Sequence, residues 1–408
     1  MHNVCQRSLS QKNCYSGSFQ IRNMSLKQGM ALKGLKVIEM AGLAPSPFAG
    51  MLLADYGADV IRIDQPKPLL STNVLARGKK SISINLKKPG GVEIVKKLVN
   101  DADILIEPFR PGVMEKLGLG PEVLLKENKK LIYARLSGYG QNGSMSQAAG
   151  HDINYVAMTG VLSKLGRADA APFPPVNLLA DFAGGSILCV MGIMMALHSR
   201  SNSGEGQIVD AALTDGAAYA SSFLFSSINQ IPMMWPGQRG CNLLDSGCPY
   251  YNTYGTKDGR YMAVGALEPQ FYTALLQGLE LGEAGLPHQM ELPKWGELSK
   301  AFQDKFASKT QSEWVEIFSK LDACVTPVLT FAEAAEHPHN KDRGMFLAGP
   351  GGTAEPSPSP KLSANPANPN LTIPKLGEHT MEILGSLGYD EVTSKQLLSD
   401  QVINVSKY

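Results

Sequence analysis

The strongest constraint on the fold is an alternation of strand, helix and strand that begins near residue 35. Leu35-Lys36-Val37-Ile38-Glu39-Met40 is an apolar run of buried-strand length, Pro45 and Pro47 then open a helix through Met51, Leu52 and Tyr56, and Ala58-Asp59-Val60-Ile61-Arg62-Ile63 reads as a second strand. Strands joined through a helix pair in parallel, because a hairpin turn is not available to them. The pattern recurs with a helical stretch over 92–98 and strands at Ile104-Leu105-Ile106 and Leu131-Ile132-Tyr133-Ala134-Arg135-Leu136. The first half is therefore α/β, a Rossmann-like unit with a mainly parallel sheet. The loop after its first strand, Ala41-Gly42-Leu43-Ala44-Pro45, lacks the GxGxxG that seats a dinucleotide pyrophosphate, which argues against a nicotinamide enzyme.

At 408 residues the chain exceeds the size at which one core keeps growing, so more than one domain is expected. We divide it into an N-terminal extension (1–30), a large α/β domain (31–215), a linker with a smaller α+β domain (216–354), and a C-terminal segment (355–408). The Ala- and Ser-rich helical stretch 210–225 runs into an irregular crossing at 231–249 that contains Pro232, Pro236, Gly237, Gly240 and Gly247. Beyond it, Tyr250-Tyr251-Asn252-Thr253-Tyr254 and Tyr261-Met262-Ala263-Val264-Gly265 flank Lys257-Asp258-Gly259-Arg260, a hairpin with Asp-Gly in its turn. Helical patterns follow over 271–279 and 311–321, then a Gly/Pro/Ser-rich linker over 350–374 and a last helical stretch over 378–387.

With 38 basic against 37 acidic residues there is no global field to attract nucleic acid or an anionic membrane. The six cysteines form no CxxC pair, against a disulfide framework or a zinc site, and read as reduced thiols. The most apolar run, 186–197, is shorter than the roughly 18 residues a membrane span requires and is expected to be a core helix. The first thirty residues carry Arg7, Lys12, Arg22 and Lys27 with no acidic residue, the composition of a mitochondrial transit peptide; a disordered leader upstream of a start at Met30 is the alternative. The final Ser406-Lys407-Tyr408 is close to a peroxisomal address but ends in tyrosine. The bulky tyrosine argues against import through this terminus; peroxisome and/or mitochondrion is the expected location.

The chemistry is concentrated in Gly150-His151-Asp152-Ile153-Asn154-Tyr155 and, thirty residues on, Asp181-Phe182-Ala183-Gly184-Gly185. An imidazole that follows a turn at Ala149-Gly150 and a carboxylate that opens one at Gly184-Gly185, both near helix starts, could oppose one another across a carbon and exchange its proton. A His-Asp dipeptide by itself would more often be a helix cap with Asp152 on backbone N–H groups. Taken together, the two strings resemble the α-methylacyl-CoA racemases of the family III CoA-transferase superfamily, over about 31–381. The resemblance implies that His151 and Asp181 are bases on opposite faces of the α-carbon, without metal or redox cofactor, and that the Asp152 N–H meets the thioester oxygen while its carboxylate serves as a cap. It also implies a chain end that rejoins the large domain and a homodimer whose subunits interlock. Transferases of the superfamily use a carboxylate at the Asp181 position as a nucleophile and generally lack the histidine, so His151 favours racemisation of 2-methylacyl-CoA, as in branched-chain fatty acid and bile-acid intermediate breakdown. A family III CoA-transferase and a non-catalytic acyl-CoA binder are the alternatives. Glu268 matches a family glutamate that approaches the histidine from the small domain; its other reading is a first-turn helix cap before Pro269.

A CoA thioester needs cations for its phosphates and an apolar groove. Arg77, Lys79, Lys80 and Lys87 form a basic stretch that charge alone would read as a solvated loop. The resemblance assigns Ile84, Asn85, Leu86 and Lys87 to the adenine and phosphate end, with Arg62, Arg110 and Lys116 near the same phosphates. Gln65 stands where the family usually has arginine. Met191, Met194, Met195, Met233 and Met234 suit either a core or a surface for branched acyl chains. His337-Pro338-His339 lacks a third metal ligand at useful spacing and is assigned no chemistry.

Overall fold

The computed structural model describes residues 29–67 and 73–406. The transit-peptide reading of the N-terminus, except for its last two residues, and the terminal Lys407-Tyr408 lie outside them. The expected βαβ alternation forms a seven-stranded sheet from β1 (Lys36–Met40), β2 (Asp59–Asp64), β3 (Lys80–Ile84), β4 (Ile104–Glu107), β5 (Ile132–Ser137), β6 (Gln207–Ala212) and β12 (Ile403–Asn404). Their spatial order is β12-β3-β2-β1-β4-β5-β6. All pairs among β1 to β6 are parallel, and only the edge strand β12 runs antiparallel, on β3. Between β6 and β12 lie β7 (Tyr251–Gly255), β8 (Tyr261–Gly265) and β9 (Val325–Pro327), which form a separate antiparallel sheet, and the short pair β10 (Phe346–Ala348) and β11 (Ala354–Pro356).

Side-chain alternation along the strands separates two cores. Ile38, Leu105 and Tyr133 face one layer, closed by α2 (Pro89–Asn100), α4 (Pro121–Glu127) and α14 (Thr380–Ser386), whereas Val37, Ile104, Ile106 and Ala134 face the other, closed by α1 (Pro45–Asp55), α5 (Asp152–Met158), α6 (Leu188–Ser203) and α7 (Leu213–Ala220). A third core, under the small sheet and its helices, is aromatic: Tyr250, Tyr254, Phe302, Phe306, Trp314 and Phe318 pack edge to face or tilted, except that Tyr254 stacks on Phe306. Past the linker the chain returns to the large sheet. Gly377 N–H donates to Ser81 Oγ at 2.8 Å, Ser83 N–H donates to Thr380 Oγ1 at 3.2 Å, and Ile403 pairs with Ile84.

One expectation is corrected. The helix predicted over 186–197 is continuous with a preceding π-helical segment, Leu178–Ile187, and the whole spans Leu178–Ser203, 26 residues with a mean hydropathy of 1.9 over its most apolar window. By length and composition it could cross a membrane. In the fold it lies across the sheet, with Ala180, Cys189, Ile193 and Ala196 in the second core, and leaves Ile187, Met191 and Met195 exposed as a stripe at four-residue spacing.

The α1 face of the sheet carries a buried polar strip because register places Glu39 beside Arg62 and Arg62 beside Ser81. Lys79 Nζ lies 2.5 Å from Glu39 Oε2 and 2.7 Å from the Pro47 carbonyl, with both side chains fully buried. Gly50 of α1 is obligatory there, since a Cβ would lie 1.8 Å from Glu39 Oε2. Burial raises the Glu39 carboxyl and lowers the Lys79 ammonium from their ordinary values, each opposed by the other's charge. Removing one partner strands the other in the core. Lys79→Met is expected to cost about 3–5 kcal/mol in urea unfolding, with part recovered when Glu39→Gln is added.

Candidate active site

Every wall of the site begins at the carboxyl edge of the parallel sheet, where loops leave the strands and the helices that follow start. The loop after β1 (Gly42, Leu43, Pro45), the loop after β4 (Pro108, Phe109) and Gly138 after β5 enclose a cleft of about 300 Å³ together with Gly150, His151, Tyr155 and Asp181. The two proposed bases therefore open into one cavity. His151 is the N-cap residue of α5, its backbone N–H donating to Asn154 Oδ1 at 3.1 Å. The Tyr155 hydroxyl donates to the Gly150 carbonyl, and its ring passes so close that a Cβ on Gly138 or Gly150 would fall 2.5 or 2.7 Å from it. Ile153 is 44% exposed, outside the cleft.

Asp181 sits in the π-helical segment, a widened turn of the kind found at functional sites. Its Oδ2 accepts from Asn177 Nδ2 at 3.1 Å, and Phe182 next to it packs edge-on against Phe48 at 5.1 Å between ring centroids. Partial burial, with the neighbouring Asp152 charge, holds the Asp181 carboxyl above the usual carboxylate range, opposed by the Asn177 hydrogen bond and the nearby His151. The expectation that Gly184-Gly185 forms a turn is corrected: both are helical, and they let α7 approach. A Cβ on Gly184 would lie 2.4 Å from Ala217 N, and one on Gly216 would lie 1.8 Å from the Gly184 carbonyl. The Asp152 carboxylate is also not a cap of its own helix. Its Oδ2 accepts from the N–H groups of Ala180 and Asp181, at 2.7 and 2.8 Å, in the other helix.

Gln65, Ile84, Asn85, Leu86 and Lys87 line a second cleft of about 600 Å³, with Lys67, Phe109, Val113 and Leu117. Phe109 lines both clefts, so they adjoin. Its loop is held from beneath by the buried Glu107, whose Oε2 accepts from Phe109 N–H at 2.8 Å while Oε1 accepts from Arg135 Nε at 2.8 Å. Arg110 and Lys116 are exposed on the segment carrying Phe109, Val113 and Leu117, and neither makes an ion pair among the described residues. Arg62 is placed differently: it is buried and donates to Asp64 Oδ2 through Nε and Nη2 at 3.0 and 2.9 Å. Three of the four cations of the basic stretch are likewise committed elsewhere, Arg77 to Asp55, Lys79 to Glu39 and Lys80 to Glu382. Lys87 alone of the four lines the cleft. Glu268 is exposed at the start of α9 (Pro269–Gly278); its side chain makes no cap hydrogen bond and does not line the His151 cleft.

Several contributors escaped the sequence reading. Asn177 lies one helical turn before Asp181, a spacing that could have flagged it. The far wall of the second cleft comes from Leu398, Gln401, Ile403 and Asn404, and nothing local to those residues announces it.

Residues 32–380 match CoA-transferase family III, and the chain belongs to that family. It is 51% identical over 379 residues to the human protein named alpha-methylacyl-CoA racemase, covering 93% of this chain and 99% of that one. The mouse protein of the same name is 52% identical over 381 residues, with the same coverage. Among solved structures, a CAIB/BAIF family protein from Brucella suis superposes with a TM-score of 0.78 at 26% identity, covering 88% of this chain and all of the other.

The contact between Gly184 and Gly216 yields a direct test. Gly216→Ala forces apart the two helices whose packing places Asp181, and kcat for the reaction argued below is expected to fall about tenfold or more, with KM for the thioester changed less than about threefold.

Proposed function

We infer that this chain is an isomerase that racemises 2-methyl-branched acyl-CoA thioesters at the α-carbon. The observation that carries this reading is the opening of His151 and Asp181 into one cleft, adjoining a longer cleft with cations at its rim. The mechanism we propose is a 1,1-proton transfer: one of the pair removes the α-proton, the other returns a proton on the opposite face, and the thioester oxygen of the enolate meets the N–H of Asp152, which at the first turn of α5 has no intrahelical acceptor. A raised Asp181 pKa suits a group that must act as an acid in one direction and a base in the other. No metal or redox cofactor enters this scheme. The CoA nucleotide is assigned to the second cleft, with Lys67, Lys87, Arg110 and Lys116 meeting its phosphates, and breakdown of branched-chain fatty acids and bile-acid intermediates is the pathway we assign.

In the same proposal the chain folds as the large domain (31–215, completed by 355–408) and the small domain (216–354), and two copies interlock. The exposed Ile187, Met191 and Met195 stripe is offered to the acyl chain and the second copy, and Glu268, remote from the pocket of its own chain, completes the site of the partner by orienting its histidine. The compartment we assign is the peroxisome, the mitochondrion or both.

Incubating the protein with one epimer of a 2-methylacyl-CoA in D₂O should give both epimers with deuterium at the α-carbon. His151→Ala and Asp181→Ala should each reduce racemisation to below a few per cent with CoA binding retained; greater residual activity in either would overturn the two-base reading. A covalent Asp181 adduct trapped by hydroxylamine would instead indicate CoA transfer. Gln65→Arg adds a charge-assisted contact worth at most about 1.5–3 kcal/mol, less when exposed, and should lower KM several-fold with kcat little changed, since phosphates far from the reacting carbon stabilise ground and transition states alike.

A further inference from the structure

We propose that the Asp152 carboxylate is a positioning residue: it clamps the first turn of the Asp181 helix to the helix that begins at His151 and so sets the separation of the two proton-transfer groups. This deepens the racemase reading and rests on it. The geometry is specific. Asp152 is 2% exposed, and its Oδ2 receives two backbone N–H groups, those of Ala180 at 2.7 Å and of Asp181 itself at 2.8 Å. Both belong to the first turn of the segment Leu178–Ile187, where N–H groups have no partner within the helix. Asp152 is joined to His151 by a peptide bond, so the backbones of the two reacting residues are connected through one side chain and one hydrogen bond. A carboxylate receiving two N–H groups makes charge-assisted bonds, roughly twice as strong as neutral ones, which suits a fixed distance. The packing of Gly184 on Gly216 and the Ser186 hydroxyl, 2.8 Å from the carbonyls of Asp181 and Pro45, hold the far side of the same turn.

The clamp has an electrostatic consequence. The groups that face Asp181 are Asn177 on its own helix, and His151, Asp152 and Tyr155 on α5, with Arg110 acting on Tyr155 from the loop after β4. Asp152 is the only anion among them, and its charge favours the protonated form of Asp181, opposing the effect of His151. Asp152 Oδ1 is buried and finds no hydrogen-bond partner among the described residues, so both N–H contacts fall on Oδ2. An asparagine in its place would keep an acceptor for the two N–H groups and lose the charge.

Asp152→Ala and Asp152→Asn of the full chain separate these effects. Asp152→Ala should lower kcat about 100-fold with KM for 2-methylacyl-CoA within about twofold, and should speed amide deuterium exchange across 178–190. Asp152→Asn should recover most of kcat but move the acid limb of the kcat–pH profile, where the pair takes up its second proton, to lower pH, because removing the anion lowers the Asp181 pKa. Wild-type kcat in Asp152→Ala, or an unmoved acid limb in Asp152→Asn, overturns the proposal, and the latter stands as the test if the alanine variant does not fold. Unchanged amide exchange across 178–190 in a folded Asp152→Ala overturns the clamp itself. Failure of the wild-type protein to racemise or exchange would instead overturn the assigned activity, and the exchange measurement would still decide the clamp.

Discussion

Parallel pairing of the central strands is the constraint from which the site follows. When β1 pairs with β2 on one side and β4 on the other in the same direction, their carboxyl ends, and those of β3 and β5, emerge along one edge. Loops about twenty to seventy residues apart in the chain then become adjacent: 41–45, 65–67, 84–87 and 108–109 all open on that edge and build two adjoining clefts. A crossover helix must lie on a face of such a sheet, so the strands are buried on both sides and the polar groups needed for chemistry are confined to the edge.

The interior nevertheless holds charge, and this changes how the surface cations are read. Arg62, Arg77 and Lys79 are consumed by Asp64, Asp55 and Glu39 inside the fold. Desolvating an ion pair seldom adds stability over a well-packed apolar pair, but once the strip exists each member depends on its partner. Its location under α1, whose leading loop walls the reactive cleft, links the integrity of that wall to the pairing of Glu39 with Lys79. The CoA phosphates of the proposed function are left to cations that make no ion pair among the described residues.

Asp181 shows how a carboxylate is held in place within a helix. The π-helical turn widens the backbone, Asn177 and Asp152 bind its side chain and its amide, and the glycine crossing with α7 removes the bulk that would push the turn outward. These restraints come from three separate helices. Such a seat suits the proton transfer proposed for Asp181, which tolerates little error in distance.

Much was legible before any coordinates. The βαβ alternation showed itself through apolar runs of strand length between proline-opened helices, the Asp-Gly hairpin through its turn chemistry, and the reacting pair through two compact strings with a family likeness. Each of these signals is local, because propensity, periodicity and capping act over a few residues. What the tertiary structure decided is non-local. Whether Arg77 is a phosphate ligand or a partner of Asp55, whether the Asp152 side chain caps its own helix or another, and whether Gly184 marks a turn or a crossing all depend on which segments meet, and register and packing settle that over separations of about twenty to thirty residues. The C-terminal tail is the extreme case: Gln401 and Asn404 reach the second cleft only because β12 pairs with the free edge of β3, through backbone hydrogen bonds that every residue type except proline can supply and that no local sequence signal announces.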